Sequence, residues 1–335
     1  MSGREPLAAI FGCAGTVLTP DERAFFRDAD PVGFILFARN CATPDQLRGL
    51  VAELRAAIAR DDAPVLIDQE GGRVARLGPP HWRAYPSARR IAAAGEEAAR
   101  LGARLTADDL AALGITVDCL PVLDLPAADA DPIIGDRAYG ERPDTVIAMG
   151  RAVCEGLLAG GVLPVMKHIP GHGRATVDSH RALPRVEAPL AALAARDFLP
   201  FRALAQMPWA MTAHVVYGAI DPDDPATVSA PLIAGTIRGR IGFDGFLVSD
   251  DLSMAALAGT IGARASRALA AGCDVVLHCN GHMDEMTDVA ASARPLAEAG
   301  RRRLDSGEAL RKAHLAPFDR REGELRFAAL MGGEG

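Results

Sequence analysis

Eight short apolar runs recur along the chain, at Leu7–Ala14, Val32–Ala38, Pro64–Asp68, Thr116–Asp124, Leu163–His168, Trp209–Val216, Phe246–Asp250 and Asp274–Cys279. They are continuously apolar rather than alternating, the pattern of parallel strands covered on both faces. Between them apolar positions recur with helical spacing. Pro44–Arg60 follows a Thr43 cap and opens on a first-turn proline. Ser87–Leu113 is Ala-rich, with Glu96, Glu97 and Arg100 on its polar face, and Pro143–Ala159, Pro189–Leu204, Ala255–Ala271 and Met283–Ala299 repeat the habit. Gly114, Gly160, Gly161 and Gly272 stand where these helices should stop. Strand–helix alternation of this kind predicts a single (β/α)8 barrel, with a doubly wound open sheet as the alternative. No Pro/Ser-rich linker or repeat divides the chain, so one domain over 1–335 is expected. Its charged tail starts as a helix near Arg301, becomes partly peripheral over 315–335 and frays at Gly332–Gly335.

A length of 335 residues suits one such barrel. Apolar residues at 49% and charged residues at 24% are ordinary for a soluble globular protein and exclude a disordered chain. The net charge of −7 argues against a nucleic-acid partner, which would need a basic face. The N-terminal apolar run is too short for a secretory signal, and no stretch approaches the ~18 apolar residues of a membrane span. A soluble, cytoplasmic protein with no membrane partner is expected. The six cysteines are scattered without a C-x-x-C pair, which predicts reduced, mostly buried thiols rather than a disulfide framework or a zinc site.

Polar residues collect where the apolar runs end. Asp68, Asp124, Lys167 with His168, and Asp250 close four of them, His214 lies within a fifth, and Asn280 follows the last. In a barrel all these ends open on one face, where active sites lie. Singly, each strand-end Asp also reads as a cap for the next helix. The densest segment runs Lys167-His168-Ile169-Pro170-Gly171-His172-Gly173, then Asp178-Ser179-His180. Its Pro and Gly residues predict an irregular loop. A turn there could bring the Asp178 carboxylate to the His180 imidazole, an arrangement that orients an acid/base and stabilises its cation. In Ser249-Asp250-Asp251-Leu252-Ser253, Asp250 is expected at the mouth, with Asp251 and Ser253 capping the next helix. Asp68-Gln69-Glu70-Gly71-Gly72-Arg73 leads to Arg76: Asp68 could accept bonds from sugar hydroxyls, and Arg73 or Arg76 could donate. Arg137, in Ile134–Gly140, reads either as an oxygen-ligand clamp or as part of a structural turn. Trp82 and Tyr85, beside Pro79-Pro80, read as a packed loop, and Arg301-Arg302-Arg303 as a solvated helix end.

Together IDQEGGRVARL (67–77), IIGDRAYG (133–140), MKHIPGHG with VDSH (166–173, 177–180), MTAHVVY (211–217) and VSDDLSM (248–254) resemble the family 3 glycoside hydrolases. The nearest likeness within that family is to its single-domain bacterial β-N-acetylglucosaminidases. The resemblance implies a (β/α)8 barrel and a retaining hydrolase that removes terminal β-linked N-acetylglucosamine from muropeptides during cell-wall recycling. It implies Asp250 as nucleophile, His180 as acid/base and Asp178 as its partner. Asp68, Arg76, Arg137, Lys167 and His168 are then the residues that hold the sugar. It implies no cofactor and no metal, a small saccharide as the only ligand, and a monomer.

Three rivals stand beside that reading. His168, His172, His180, Asp178 and Asp250 are plausible ligands for a barrel metal site. The same clamps would also suit a sugar-binding barrel without turnover. Finally, the chemistry could be kept and the sugar changed, to a β-glucoside or β-xyloside.

Overall fold

The structure, a computed structural model, describes residues 5–128, 130–179 and 181–332. Among the described residues, eight parallel strands close into a barrel in sequential order. They are β1 (Leu7–Phe11), β2 (Pro31–Leu36), β3 (Val65–Ile67), β4 (Val117–Asp118), β5 (Leu163–Ile169), β6 (Trp209–Thr212), β7 (Phe246–Asp251) and β8 (Val275–His278). Each coincides with one of the predicted apolar runs, and the open sheet is excluded. The barrel closes where β1 pairs with β8, Ala9 opposite Val276 and Ile10 opposite Leu277. Strand residues are buried on both faces; β1, β2 and β5 have no exposed position at all.

Register shifts fall at the C-terminal ends of β5 and β7, between Met166 and Ile169 and between Val248 and Asp251. Bulges at such rims re-aim side chains toward the mouth. Strand β4 is short because Pro121 follows it; the chain rejoins the ladder only at a Val122–Lys167 bridge.

Several helices differ from expectation for identifiable reasons. Pro20–Ala29, which the apolar pattern did not reveal, is set by a Thr19–Glu22 capping box and a proline in its first turn. Ser87–Leu113 becomes two helices, Ala88–Ala94 and Glu96–Ala111, divided at Gly95 with φ of 96°. Pro189–Leu204 likewise divides into Leu190–Ala195 and Leu199–Ala203. Ala255–Ala271 starts only at Ile261, because Thr260 supplies the cap and 252–259 form a loop at the mouth. The helix from Met283 ends at Ser292, and a new helix, Glu298–Ala313, carries Arg301–Arg303 in its body. Arg303 there bonds Asp244 and Asp274, so the run is not a solvated helix end.

Beyond these, helix Arg320–Leu330 lies against Glu96–Ala111. No helix among the described residues is long and apolar enough to cross a membrane. All six cysteines are free thiols, buried except for the half-buried Cys41.

Candidate active site

A cavity of about 270 Å³ opens at the C-terminal ends of the strands. Asp68, Arg76, Arg137, Lys167, His168 and Asp250 all line it, joined by Glu70, His172, Ser179 and Asp251. Six of the eight predicted site residues therefore meet in one place, although up to 99 residues separate the partners in a single bond.

The geometry is built on Lys167, at the buried end of β5. Its ammonium lies 2.8 Å from Asp68 Oδ1 and 2.7 Å from Glu70 Oε1. Arg76 donates to Asp68 Oδ2 at 3.0 Å. Arg137 donates twice to Glu70, at 2.8 Å through Nε and 2.8 Å through Nη2. Arg137, at the end of a short turn over Gly135–Arg137, thus ties that turn to the site through Glu70. Burial alone would raise both carboxyls; the Lys167 and arginine charges outweigh it and hold Asp68 and Glu70 below the usual carboxylate range. For Lys167, burial favours the neutral amine, but the two carboxylates win and keep it a cation.

The hairpin that carries these groups is closed by Gln69. Its side-chain oxygen accepts from the Arg76 and Leu77 amides at 2.9 and 3.0 Å, and its Nε2 donates to the Leu77 carbonyl at 2.9 Å. Its own amide donates to Asp118 Oδ1 at 3.0 Å. Gly71 and Gly72 have positive φ and press on Pro86 and Ser87; a Cβ on Gly71 would lie 2.4 Å from the Pro86 carbonyl oxygen.

On the other wall, Asp124 is fully buried and caps no helix. It holds His168 Nδ1 at 2.6 Å and accepts from the His172 amide at 2.6 Å. Its neighbouring imidazoles outweigh burial and keep it ionised. His172 is pushed down to about 4, by burial first and by His168 second, so its ring is neutral at ordinary pH. Its Nε2 lies 3.3 Å from Ser179 Oγ.

Asp250 is the penultimate residue of β7, its Oδ1 accepting from the Asp251 amide at 2.8 Å. Burial would raise its carboxyl; His214 and His168 nearby bring it below the usual range, leaving an anion facing the cavity. His214 itself does not line the cavity. It stands behind the wall, bonded to Thr227 Oγ1 at 2.7 Å and to the Asp251 carbonyl at 2.9 Å. Asp251 and Ser253 cap no helix; Asp251 Oδ1 accepts from the Ser253 and Cys279 amides, tying the mouth loop to the end of β8. Asn280 turns away to Glu285 at 2.6 Å.

Asp178 is part-buried, with Arg181 Nε 3.9 Å from its Oδ2, and it does not line the cavity. Its neighbour Ser179 does line the cavity, and the Ser179 carbonyl accepts from the Ala256 amide at 3.2 Å. His180 lies outside the described residues. Sequence reasoning passed over Glu70, Gln69 and Asp118, and it gave Asp124 no role beyond its strand-end position. Glu70 and Gln69 sit inside a motif already singled out, and the Glu70 partners Arg137 and Lys167 lie in two further motifs.

Fold and site together define a parallel (β/α)8 barrel with a charge-clamped pocket at its mouth. The glycosyl hydrolase family 3 N-terminal domain matches residues 19–306, and the chain belongs to that family. A protein of Methylococcus capsulatus named beta-hexosaminidase is 40% identical over 314 residues, 88% of this chain and 92% of its own. One of Pseudomonas aeruginosa with the same name is 39% identical over 285 residues, 84% of each chain. Among solved structures, NagZ from Neisseria gonorrhoeae in complex with N-trifluoroacetyl-D-glucosamine superposes with a TM-score of 0.86 at 31% identity. That likeness covers 98% of this chain and 99% of the other.

Proposed function

We propose that the protein is a retaining exo-β-N-acetylglucosaminidase, with Asp250 as nucleophile and Asp178–His180 as the acid/base pair. The observation that carries this reading is one cavity holding both an anionic Asp250 and the Asp68–Lys167–Arg76 clamp. A clamp of neutralised charges offers acceptors and donors to sugar hydroxyls without requiring a charged ligand. Kinship with proteins named beta-hexosaminidase, and with a structure bound to an N-acylated glucosamine, supports the sugar.

In the first step Asp250 attacks the anomeric carbon and the glycosidic bond breaks. A glycosyl ester forms while protonated His180 gives its proton to the leaving oxygen. Neutral His180 then takes a proton from water, which attacks the ester and frees the sugar and Asp250. A histidine near its ordinary pKa of ~6.5 serves both steps close to neutral pH. The same reading takes muropeptides of cell-wall recycling as substrate. It also takes the cytoplasm as the compartment and a monomeric barrel spanning the chain as the working unit.

Release of 4-nitrophenol from 4-nitrophenyl N-acetyl-β-glucosaminide tests it, with and without EDTA, beside Asp250→Ala. The expected result is chelator-insensitive turnover, reduced more than ~10³-fold in the variant. Loss of turnover in EDTA would instead revive the metal reading. Turnover of the β-glucoside alone would change the sugar, and binding without any turnover would leave a lectin-like barrel.

A further inference from the structure

Asp118 ends β4 and is absent from the cavity lining. It is fully buried. One oxygen accepts the Gln69 amide at 3.0 Å; the other, Oδ2, is buried without a partner. Gln69 in turn clamps the backbone of Arg76 and Leu77, and its chain neighbours are Asp68 and Glu70. A single side chain outside the pocket therefore holds the base of the hairpin that presents the pocket's charges.

We propose that Asp118 is a positioning residue for the sugar clamp, and that its charge sets how tightly the clamp holds its ligand. The proposal rests on the sugar-binding reading given above. Lys167 has three N–H donors, and its described partners are Asp68 and Glu70. A third donor remains for a ligand hydroxyl. An anionic Asp118 attracts the Lys167 ammonium and repels the Asp68 carboxylate through space; an uncharged Asp118 does neither. Around Asp118 stand Asp68 and Glu70 on the hairpin, Lys167 on β5, Cys119 beside it and Tyr139 beyond. Burial pushes the Asp118 carboxyl up to about 7, with the two carboxylates adding to the rise and the Gln69 amide and Lys167 opposing it. The change of charge then falls near neutral pH.

The test is the pH dependence of KM and kcat, read separately, for hydrolysis of 4-nitrophenyl N-acetyl-β-glucosaminide by the wild-type chain, Asp118→Asn and Asp118→Ser. Both variants remove the charge, and Asp118→Asn also keeps an amide oxygen where the Gln69 N–H donates. In the wild type KM is expected to rise through neutrality by roughly three- to tenfold, the worth of about one hydrogen bond. In either folded variant KM stays level over that range, and the limbs of kcat keep their positions. Thermal melts identify a variant that has not folded, and the other then decides. A wild-type KM without a step near neutrality, or variant profiles that superpose on the wild type, would overturn the role of Asp118. Absence of both turnover and N-acetylglucosamine binding in the wild type would overturn the sugar reading beneath it.

Discussion

Asp68, Glu70, Asp124 and Asp250 lose water on folding, which alone would raise each carboxyl, yet neighbouring cations and N–H donors hold all four below their ordinary range. A carboxyl lowered in the fold stabilises it above the unfolded pKa, and that stability is lost as pH falls through the folded value. His172, lowered from 6.5 to about 4, has the same sign: between those values the unfolded chain binds a proton that the fold refuses. Acid destabilisation is therefore expected in two stages, the carboxylates acting last; in the first, between pH 6.5 and about 4, the buried imidazoles resist charging and are opposed by Asp118, whose contribution grows over the same range. His172→Asn should flatten that first stage in part, since His214 is lowered by burial as well. A melt curve with unchanged slope in the variant would show that His172 is not among the groups responsible. Asp118 has the opposite sign. Raised to about 7, it favours the fold below its unfolded value of 3.8, and that contribution is lost as pH rises to about 7. Asp118→Asn is expected to melt higher than wild type at alkaline pH and to lose that advantage in acid. The polar residues at strand ends were legible in the sequence because parallel strands are otherwise apolar. Their partners were not: Glu70 and Arg137 are 67 residues apart, Gln69 and Asp118 are 49 apart, and nothing local marks either pair.

At the scale of elements, the strands were legible for a physical reason. Burial on both faces leaves runs such as Val32–Leu36 without a polar position, and no helix of ordinary amphipathicity imitates that. Helix ends were less legible: Gly95 divides one expected helix, and the Thr260 cap starts another at Ile261 rather than Ala255. Pro20–Ala29 was hidden because its adjacent Phe25 and Phe26 break the apolar spacing, while its signal lay in the Thr19–Glu22 box. The loop after β5 is shaped by close backbone approach. A Cβ on Gly173 would lie 2.1 Å from the Leu125 carbonyl oxygen and 2.7 Å from its amide nitrogen. Gly173 also accepts from the Ala127 amide at 2.8 Å, so the two segments run side by side. Gly173→Ala must push Leu125 away, and Asp124 with it, which loosens the hold on His168. The expected cost is about 1–3 kcal/mol in denaturant unfolding, the range for overpacking, together with a clear drop in kcat/KM. Stability and activity equal to wild type would mean that the loop relaxes freely and does not position Asp124.

Across the whole molecule, the hairpin that carries Asp68 and Arg76 is supported from the far end of the chain. Gly72 donates its amide to the Tyr85 carbonyl at 2.8 Å, and Gly71 packs on Pro86. Tyr85 packs against Phe327 with ring centroids 6.2 Å apart, and its hydroxyl donates to Asp109 at 3.0 Å. Phe327 seats so closely on Gly102 that a Cβ there would meet its ring at 2.9 Å, while Arg320 pairs with Asp109 at 2.7 Å. Trp82 and Tyr85 thus belong to a packed loop, as their proline neighbours suggested, but that loop is a buttress between helix Arg320–Leu330 and the site. Phe327→Ala is expected to cost about 3 kcal/mol in unfolding free energy, as for other large-to-small core changes. Because the buttress reaches the clamp and not Asp250, KM should rise more than kcat falls. Leu325→Ala, two residues away on the same helix and 68% exposed, serves as control and should change stability by less than about 0.5 kcal/mol. A destabilised Phe327→Ala with wild-type KM would make this helix a stabilising appendage alone. A raised KM would make the last helix part of what shapes the pocket, although no residue of that helix lines it.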